Sequence, residues 1–182
     1  MRIPLLLLCL LISFSVFAKN PVVVIETNMG SIEVELNSEK APVTVKNFLS
    51  YVDKKFYDGL IFHRVMNGFM IQGGGYNEKM QEKKTNPPIV NEAKNGLLND
   101  TGTIAMARTN DPNSASSQFF INVNDNTSLN YPSPDGHGYA VFGKVISGMH
   151  VVNRIKMVKT GNLYGHQNVP MDVVLIKSIR KN

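Results

Sequence analysis

One cysteine in 182 residues leaves little room for thiol chemistry. That residue, Cys9, lies inside an apolar N-terminal run, and without the run the chain has neither a disulfide framework nor a cysteine nucleophile. Leu10-Leu11-Ile12 follow it mid-run, which argues against a lipid anchor. The four histidines, His63, His137, His150 and His166, include no pair at metal-ligand spacing. Ser114, Ser116 and Ser117 lack the Gly-x-Ser-x-Gly frame that exposes a nucleophile. Gly73-Gly74-Gly75 lacks the Lys-Ser/Thr continuation of a phosphate loop. The formal net charge of +5 is spread along the chain, and its densest cluster, Lys83-Lys84 near Lys79, is too thin for a nucleic-acid surface. Hydrolytic, metal-dependent and nucleotide-binding chemistries are therefore all unsupported.

The N-terminus carries an address. Met1-Arg2 supply one positive side chain, Ile3 to Phe17 are almost wholly apolar, and Val16-Phe17-Ala18 offers small residues where a signal peptidase reads. The run is short for a spanning helix, so the expectation is a secretory signal over residues 1–18 and a single mature domain over 19–182 with no stable membrane insertion. Loss of Arg2 takes the charge to +4. A cysteine-free exported chain suits an oxidising compartment, and the expected location is the periplasm.

Within the mature chain, Val22–Thr27 and Ser31–Leu36 flank an Asn-Met-Gly turn, and the second run alternates strictly. Ile32, Val34 and Leu36 read as the buried face of a hairpin, Glu33 and Glu35 as its solvent face rather than an acid–base pair. Pro42 suits a first helical turn, and Val45, Phe48, Leu49 and Val52 recur at three- and four-residue steps, predicting a helix over 42–54. Further strands are expected at 60–65, 69–73, 103–107, 118–123, 139–145 and 173–176. A second helix should start near Ser147 and bury Val151, Val152, Ile155 and Val158. Many short strands with two helices favour a mainly β fold, a closed antiparallel barrel with helices over its ends. A lipocalin-like barrel with an open interior is disfavoured because bulky residues occupy both faces of every strand.

The segment FHRVMNGFMIQGGG, residues 62–75, is unusual for core. Alternation puts Phe62 and Arg64 on one face with His63 opposite, Met70 with Gln72 opposite Ile71, and Gln118 with Phe120 opposite Phe119 and Ile121. Faces that mix hydrogen-bonding groups with large apolar ones suit a shallow peptide groove. His63, facing away, reads as a satisfied core histidine, and the three glycines as a sharp strand exit that also admits a close neighbour.

These residues resemble a known family, the cyclophilin-type peptidyl-prolyl cis/trans isomerases. The resemblance rests on Phe62 to Gly74, Gly102-Thr103-Ile104-Ala105-Met106-Ala107, Ser117-Gln118-Phe119-Phe120-Ile121 and Val141-Phe142-Gly143-Lys144-Val145, in family order across about Pro21 to Ile179. The Gln72-Gly73-Gly74-Gly75 ending, the Met106-Ala107-Arg108-Thr109 segment and the leader look most like the exported bacterial branch. The resemblance implies an eight-stranded antiparallel barrel capped by two α-helices and an enzyme that needs no cofactor. It implies Arg64 as the catalytic residue, Phe69, Met70, Phe120 and Leu129 around a proline pocket, and Gln72 and Gln118 on peptide backbone. Ala107 and the backbone of Arg108 would form the neighbouring edge, with Tyr139 as a further wall. The expected partners are proline-containing polypeptides, met by a monomer. Ser128 precedes Leu129 where many members carry tryptophan, so a cyclosporin-type cyclic peptide is expected to bind only weakly.

Overall fold

The computed structural model describes residues 20–182, so the leader expected at 1–18 lies outside the described residues. Its strands and helices follow in the order β1 (Val22–Thr27), β2 (Gly30–Leu36), α1 (Pro42–Asp53), β3 (Leu60–Met66), β4 (Met70–Asn77), β5 (Thr103–Met106), β6 (Phe119–Asn122), β7 (Val141–Ser147), α2 (Met149–Ile155), β8 (Thr160–Leu163), β9 (His166–Pro170) and β10 (Leu175–Lys181). Eight strands close a barrel in the order β1-β10-β3-β4-β6-β5-β7-β2, every pair antiparallel. Closure leaves no unpaired edge among the eight.

The hairpin forms as its alternation predicts. Val23 pairs with Val34 and Ile25 with Ile32, and all four are fully buried. Helix α1 starts at Pro42 and buries Val45, Phe48, Tyr51 and Val52. Its N-terminus is capped from far along the chain: the Glu92 carboxylate accepts from Val43 N at 3.0 Å, Thr44 N at 2.8 Å and the Thr44 hydroxyl at 2.6 Å. An anion placed on the free amides of a first turn satisfies them and complements the helix dipole. Phe48 then anchors the helix in the barrel end, its ring 5.3–5.6 Å from those of Tyr57, Phe119 and Phe142. Burying such a ring stabilises the fold by roughly 1.5–3 kcal/mol. Helix α2 buries Val151, Val152 and Ile155. The interior is filled by side chains from every barrel strand, Phe62, Ile71, Ile104, Phe119, Ile121 and Phe142 among them, so this is a packed core.

Two expectations need correction. Strand β4 does not exit at the triple glycine but runs through it to Asn77. The glycines serve close approach instead: a methyl group on Gly73 would lie 2.9 Å from the Ile61 carbonyl oxygen, and Gly74, at φ +86°, is wedged against Phe119 and Tyr57. Second, Phe62 and Arg64 do not share a face. The register of β3 on β4 shifts between them, a bulge that takes up His63. Phe62 and Val65 both enter the core while Arg64 turns outward. β8 and β9, at positions where no strand is expected, form a separate two-stranded sheet. Its strands are short and polar, with little period-2 signal, and β9 lies along β3.

Candidate active site

Strands β3, β4, β5 and β6 bring the polar and apolar residues of the motifs to one outer face of the barrel. Arg64 pairs with Gln72, Gln72 with Phe120, and Phe120 with Ala105 across three successive ladders. The result is a pocket of about 150 Å³ lined by Arg64, Phe69, Met70, Gln72, Ala107, Arg108, Phe120, Leu129 and Tyr139. Met70 and Phe120, both buried, form its floor with Ala105 and Val141, and Phe69, Leu129 and Tyr139 pack around them. The Tyr139 ring meets Phe120 edge-on, 5.9 Å between centroids. Of the ten residues expected at the site only Gln118 is not a wall, and it stands directly behind one. Gln72 Nε2 donates to Gln118 Oε1 at 3.0 Å.

Arg64 is held from two sides. Its Nη1 donates to Gln72 Oε1 at 3.2 Å and its Nη2 to the Met66 thioether at 3.2 Å. A guanidinium has five N–H donors, so three remain for whatever enters the pocket. Arg108 contributes more than the backbone edge expected of it. Its side chain is 2% exposed. Nε donates to Gly138 O at 3.0 Å, Nη1 to Thr109 O at 2.9 Å and Nη2 to both Asp135 carboxylate oxygens, while the guanidinium lies over the Tyr139 ring at 4.3 Å. It thereby ties down the loop between Leu129 and Tyr139.

His63 is buried, as expected, but not satisfied. Its Nδ1 has no hydrogen-bond partner, and the ring meets Tyr76 at a tilt of 60° with 4.7 Å between centroids, while Tyr76 in turn meets His166 at 5.3 Å. Burial, with smaller contributions from His166 and Arg64, pushes its pKa down to about 4, so it is neutral at neutral pH. No acid–base role follows from it. Among the described residues no cluster of three or more metal-ligating side chains occurs, and no helix is long and apolar enough to cross a membrane.

A pocket with an apolar floor, a fixed guanidinium and amide groups on its rim, but no nucleophile or base, can grip a ring and donate hydrogen bonds. The family model described as "Cyclophilin type peptidyl-prolyl cis-trans isomerase/CLD" matches residues 22–181, the whole barrel. The chain belongs to the cyclophilins. It is 55% identical over 179 residues to a peptidyl-prolyl cis-trans isomerase of Acinetobacter baylyi, covering 98% of this chain and 94% of that one. To peptidyl-prolyl cis-trans isomerase B of Escherichia coli it is 54% identical over 159 residues, 86% of this chain and 97% of the relative. A crystal structure of a Cryptosporidium parvum cyclophilin, obtained in the presence of the dipeptide Ala-Pro, superposes with a TM-score of 0.74 at 29% identity, over 88% of this chain and 98% of that one. The barrel with two capping helices is thus the cyclophilin fold, and the chemistry of this family of enzymes is cis/trans isomerisation of prolyl bonds.

Sequence reasoning missed the support beneath this cyclophilin pocket. Asn99, Asn122 and Asn126 are buried and bonded to one another: Asn122 Nδ2 donates to Asn99 Oδ1 at 3.2 Å and Asn126 Nδ2 to Asn122 Oδ1 at 2.7 Å. The network reaches three walls of the pocket. Asn126 Nδ2 also donates to Phe69 O at 2.7 Å, Leu129 N to Asn126 O at 2.9 Å, and Asn99 Nδ2 to Tyr139 O at 3.3 Å. Asparagines scattered at 99, 122 and 126 look like loop residues in a sequence. Only the polar Asn122, ending the apolar strand Phe119-Phe120-Ile121, hinted otherwise.

Proposed function

We propose that this cyclophilin accelerates rotation about X-Pro bonds of exported polypeptides folding in the periplasm, with Arg64 as the catalytic donor and the Phe69–Met70–Phe120–Leu129 pocket holding the proline ring. The observation that carries the reading is the Arg64 guanidinium, fixed between Gln72 and Met66 beside a proline-sized apolar pocket with three donors free. The leader at residues 1–18 supports export, and the relative studied with Ala-Pro supports proline-containing peptides as ligands.

Amide resonance sets a rotation barrier of roughly 18–20 kcal/mol, and an unassisted prolyl bond takes tens to hundreds of seconds to turn. As the bond twists, conjugation is lost and the prolyl nitrogen regains a lone pair. A guanidinium N–H aimed at that nitrogen bonds more strongly in the twisted state than in the planar one, which is the condition for lowering the barrier rather than merely binding substrate. A charged hydrogen bond is worth roughly 1.5–3 kcal/mol net, or one to two decades of rate at about 1.4 kcal/mol each. Met70 and Phe120 exclude water from the ring, and Gln72, steadied by Gln118, is placed to hold the neighbouring peptide backbone. Tyr139 and Leu129 close the far side. With Ser128 in place of an indole donor beside the pocket, a cyclosporin-type peptide binds weakly, and the enzyme acts as a monomer.

The test is cis/trans exchange of a short X-Pro peptide, followed by NMR, with the intact protein and with Arg64→Ala. The expected result is a loss of about ten- to a hundredfold in kcat/KM for the variant. Equal rates would remove Arg64 from catalysis. Binding without accelerated exchange in either protein would make the barrel a proline-directed binding module. Periplasmic recovery of a protein beginning near Lys19 tests the export reading, and recovery of the full-length chain from the cytoplasm overturns it.

A further inference from the structure

We propose that Met66 is the positioning residue for Arg64 and a site of reversible oxidation through which hydroperoxides switch the isomerase off. The inference rests on Arg64 being the catalytic donor. Two groups fix its guanidinium, Gln72 Oε1 on Nη1 and the Met66 sulfur on Nη2, each at 3.2 Å. The two acceptors differ in kind. An amide oxygen is a full acceptor, while a thioether is a weak one that locates the guanidinium without competing for its protons. Met66 is the last residue of β3 and half-buried, its side chain packed on the edge of the pocket floor rather than within it. Met66 is thus partly open to solvent, the side from which a small peroxide would approach its sulfur. Met70, the other methionine of the pocket, is 2% exposed and shielded.

In the reaction the sulfur lone pair attacks one peroxide oxygen, an S–O bond forms as the O–O bond breaks, and proton transfer releases water, or an alcohol from an organic hydroperoxide. Sulfur is oxidised by two electrons and the peroxide reduced by two. The product changes the site at its most sensitive point. A sulfoxide oxygen is a strong acceptor attached to a sulfur that already touches Nη2, so there is no room for it on the line between them. The guanidinium is displaced, and its free N–H groups move with it, away from the prolyl nitrogen. A misplacement of about 1 Å at a catalytic group can cost on the order of a hundredfold in rate.

The experiment treats the full mature protein with hydrogen peroxide and follows X-Pro exchange alongside peptide-resolved mass spectrometry of every methionine. Met157, 66% exposed, and Met171, 49% exposed, serve as internal clocks because both are more open to solvent than Met66. The expectation is that these two oxidise first without effect, that kcat/KM then falls about tenfold or more in step with Met66 sulfoxide, and that methionine sulfoxide reductases restore it. Met66→Leu and Met66→Ile, each referred to its own untreated rate, should keep that rate at the same dose. Loss that tracks Met70 or the exposed methionines overturns the proposal, as does full conversion of Met66 with no loss, or an equal loss in the Met66 variants. An Arg64→Ala variant as fast as wild type refutes the catalytic reading itself, whatever the peroxide does. A slow Arg64→Ala with a peroxide-indifferent wild type refutes only the role of Met66.

Discussion

Replacing Asn126 by alanine should loosen the pocket without touching any residue that lines it. The Asn126 side-chain amide makes two short bonds, to Phe69 O at 2.7 Å and to Asn122 Oδ1 at 2.7 Å, and the residue is 7% exposed. Alanine leaves both acceptors without that donor in a site with little access to water. Phe69 O keeps Val123 N at 3.1 Å, so Asn122 Oδ1 is the group left stranded, at about 1–3 kcal/mol, and the lost bond to Phe69 O adds about 1 kcal/mol, roughly 2–4 kcal/mol in all. For a domain of this size 1 kcal/mol corresponds to about 2–4 °C, and Tm should fall by about 5–15 °C. Because Asn126 ties the Phe69 carbonyl to the turn that carries Leu129, KM for an X-Pro peptide should rise more than kcat falls, since Arg64 keeps both its partners. Calorimetry and exchange kinetics on the same preparation read the two effects. Asn126→Asp is the sharper variant: it keeps the shape but sets an acceptor against two acceptors, and should be at least as destabilising at neutral pH. A Tm within 2 °C of wild type for both variants would refute the claim that the network carries these walls.

Three further outcomes follow from other parts of the site. A methyl group on Gly75 would stand 2.6 Å from Gln118 Cγ and Cδ; Gly75→Ala should displace Gln118, release Gln72 and lower kcat/KM severalfold, and unaltered activity would show that Gln118 does not steady Gln72. His63 has a folded pKa of about 4 against about 6.5 unfolded, so between these values the unfolded chain binds the extra proton. Its penalty is absent above pH 6.5 and grows to about 3 kcal/mol as pH falls to 4, and urea unfolding of His63→Phe should show a flatter pH dependence over that window than wild type. Asp135→Asn removes the charge that Arg108 meets with both oxygens; the exposed half of this pair makes the stability change small, but the Leu129–Tyr139 loop should gain mobility, read as faster amide exchange at His137 and Gly138 and a raised KM.

How far the sequence could be read depended on whether a residue's role is local. Binary alternation in β2 and the 3.6-residue repeat of α1 placed Ile32, Val34, Leu36, Phe48 and Val52 correctly, because one buried face with a fixed period is all those elements need. The face shared by Met70 and Gln72 and by Gln118 and Phe120 was legible for the same reason. The side-chain role of Arg108 and the roles of Asn126 and Glu92 were not. Each acts through partners 27 to 57 residues away, namely Asp135, Phe69 and Thr44, and no local pattern encodes such pairings. The β8–β9 hairpin escaped because its residues are mostly half-exposed and carry no alternation.

The one place where alternation misled within a strand is also the place where the chemistry sits. Strict pleating would have put Arg64 on the side of Phe62, in the barrel interior, where a guanidinium would have to be desolvated among aromatic rings. The bulge at His63 adds one residue to β3 against β4 and turns Arg64 out to Gln72 and the pocket. It leaves His63 between β3 and the β8–β9 sheet with Nδ1 unpaired, a cost the fold carries next to its candidate donor. Such irregularities persist where they re-aim a side chain. Giving His63 a partner should therefore be worse than mutating it: an alanine inserted between Gln72 and Gly73 would restore strict pleating, force Phe62 and Arg64 onto one face, and either strand a charge in the core or turn Phe62 out, with loss of exchange activity. A His63→Phe substitution keeps the residue count, and so should keep Arg64 in place and most of the activity. If the two changes damaged catalysis equally, the side chain rather than the bulge would be what matters at this position.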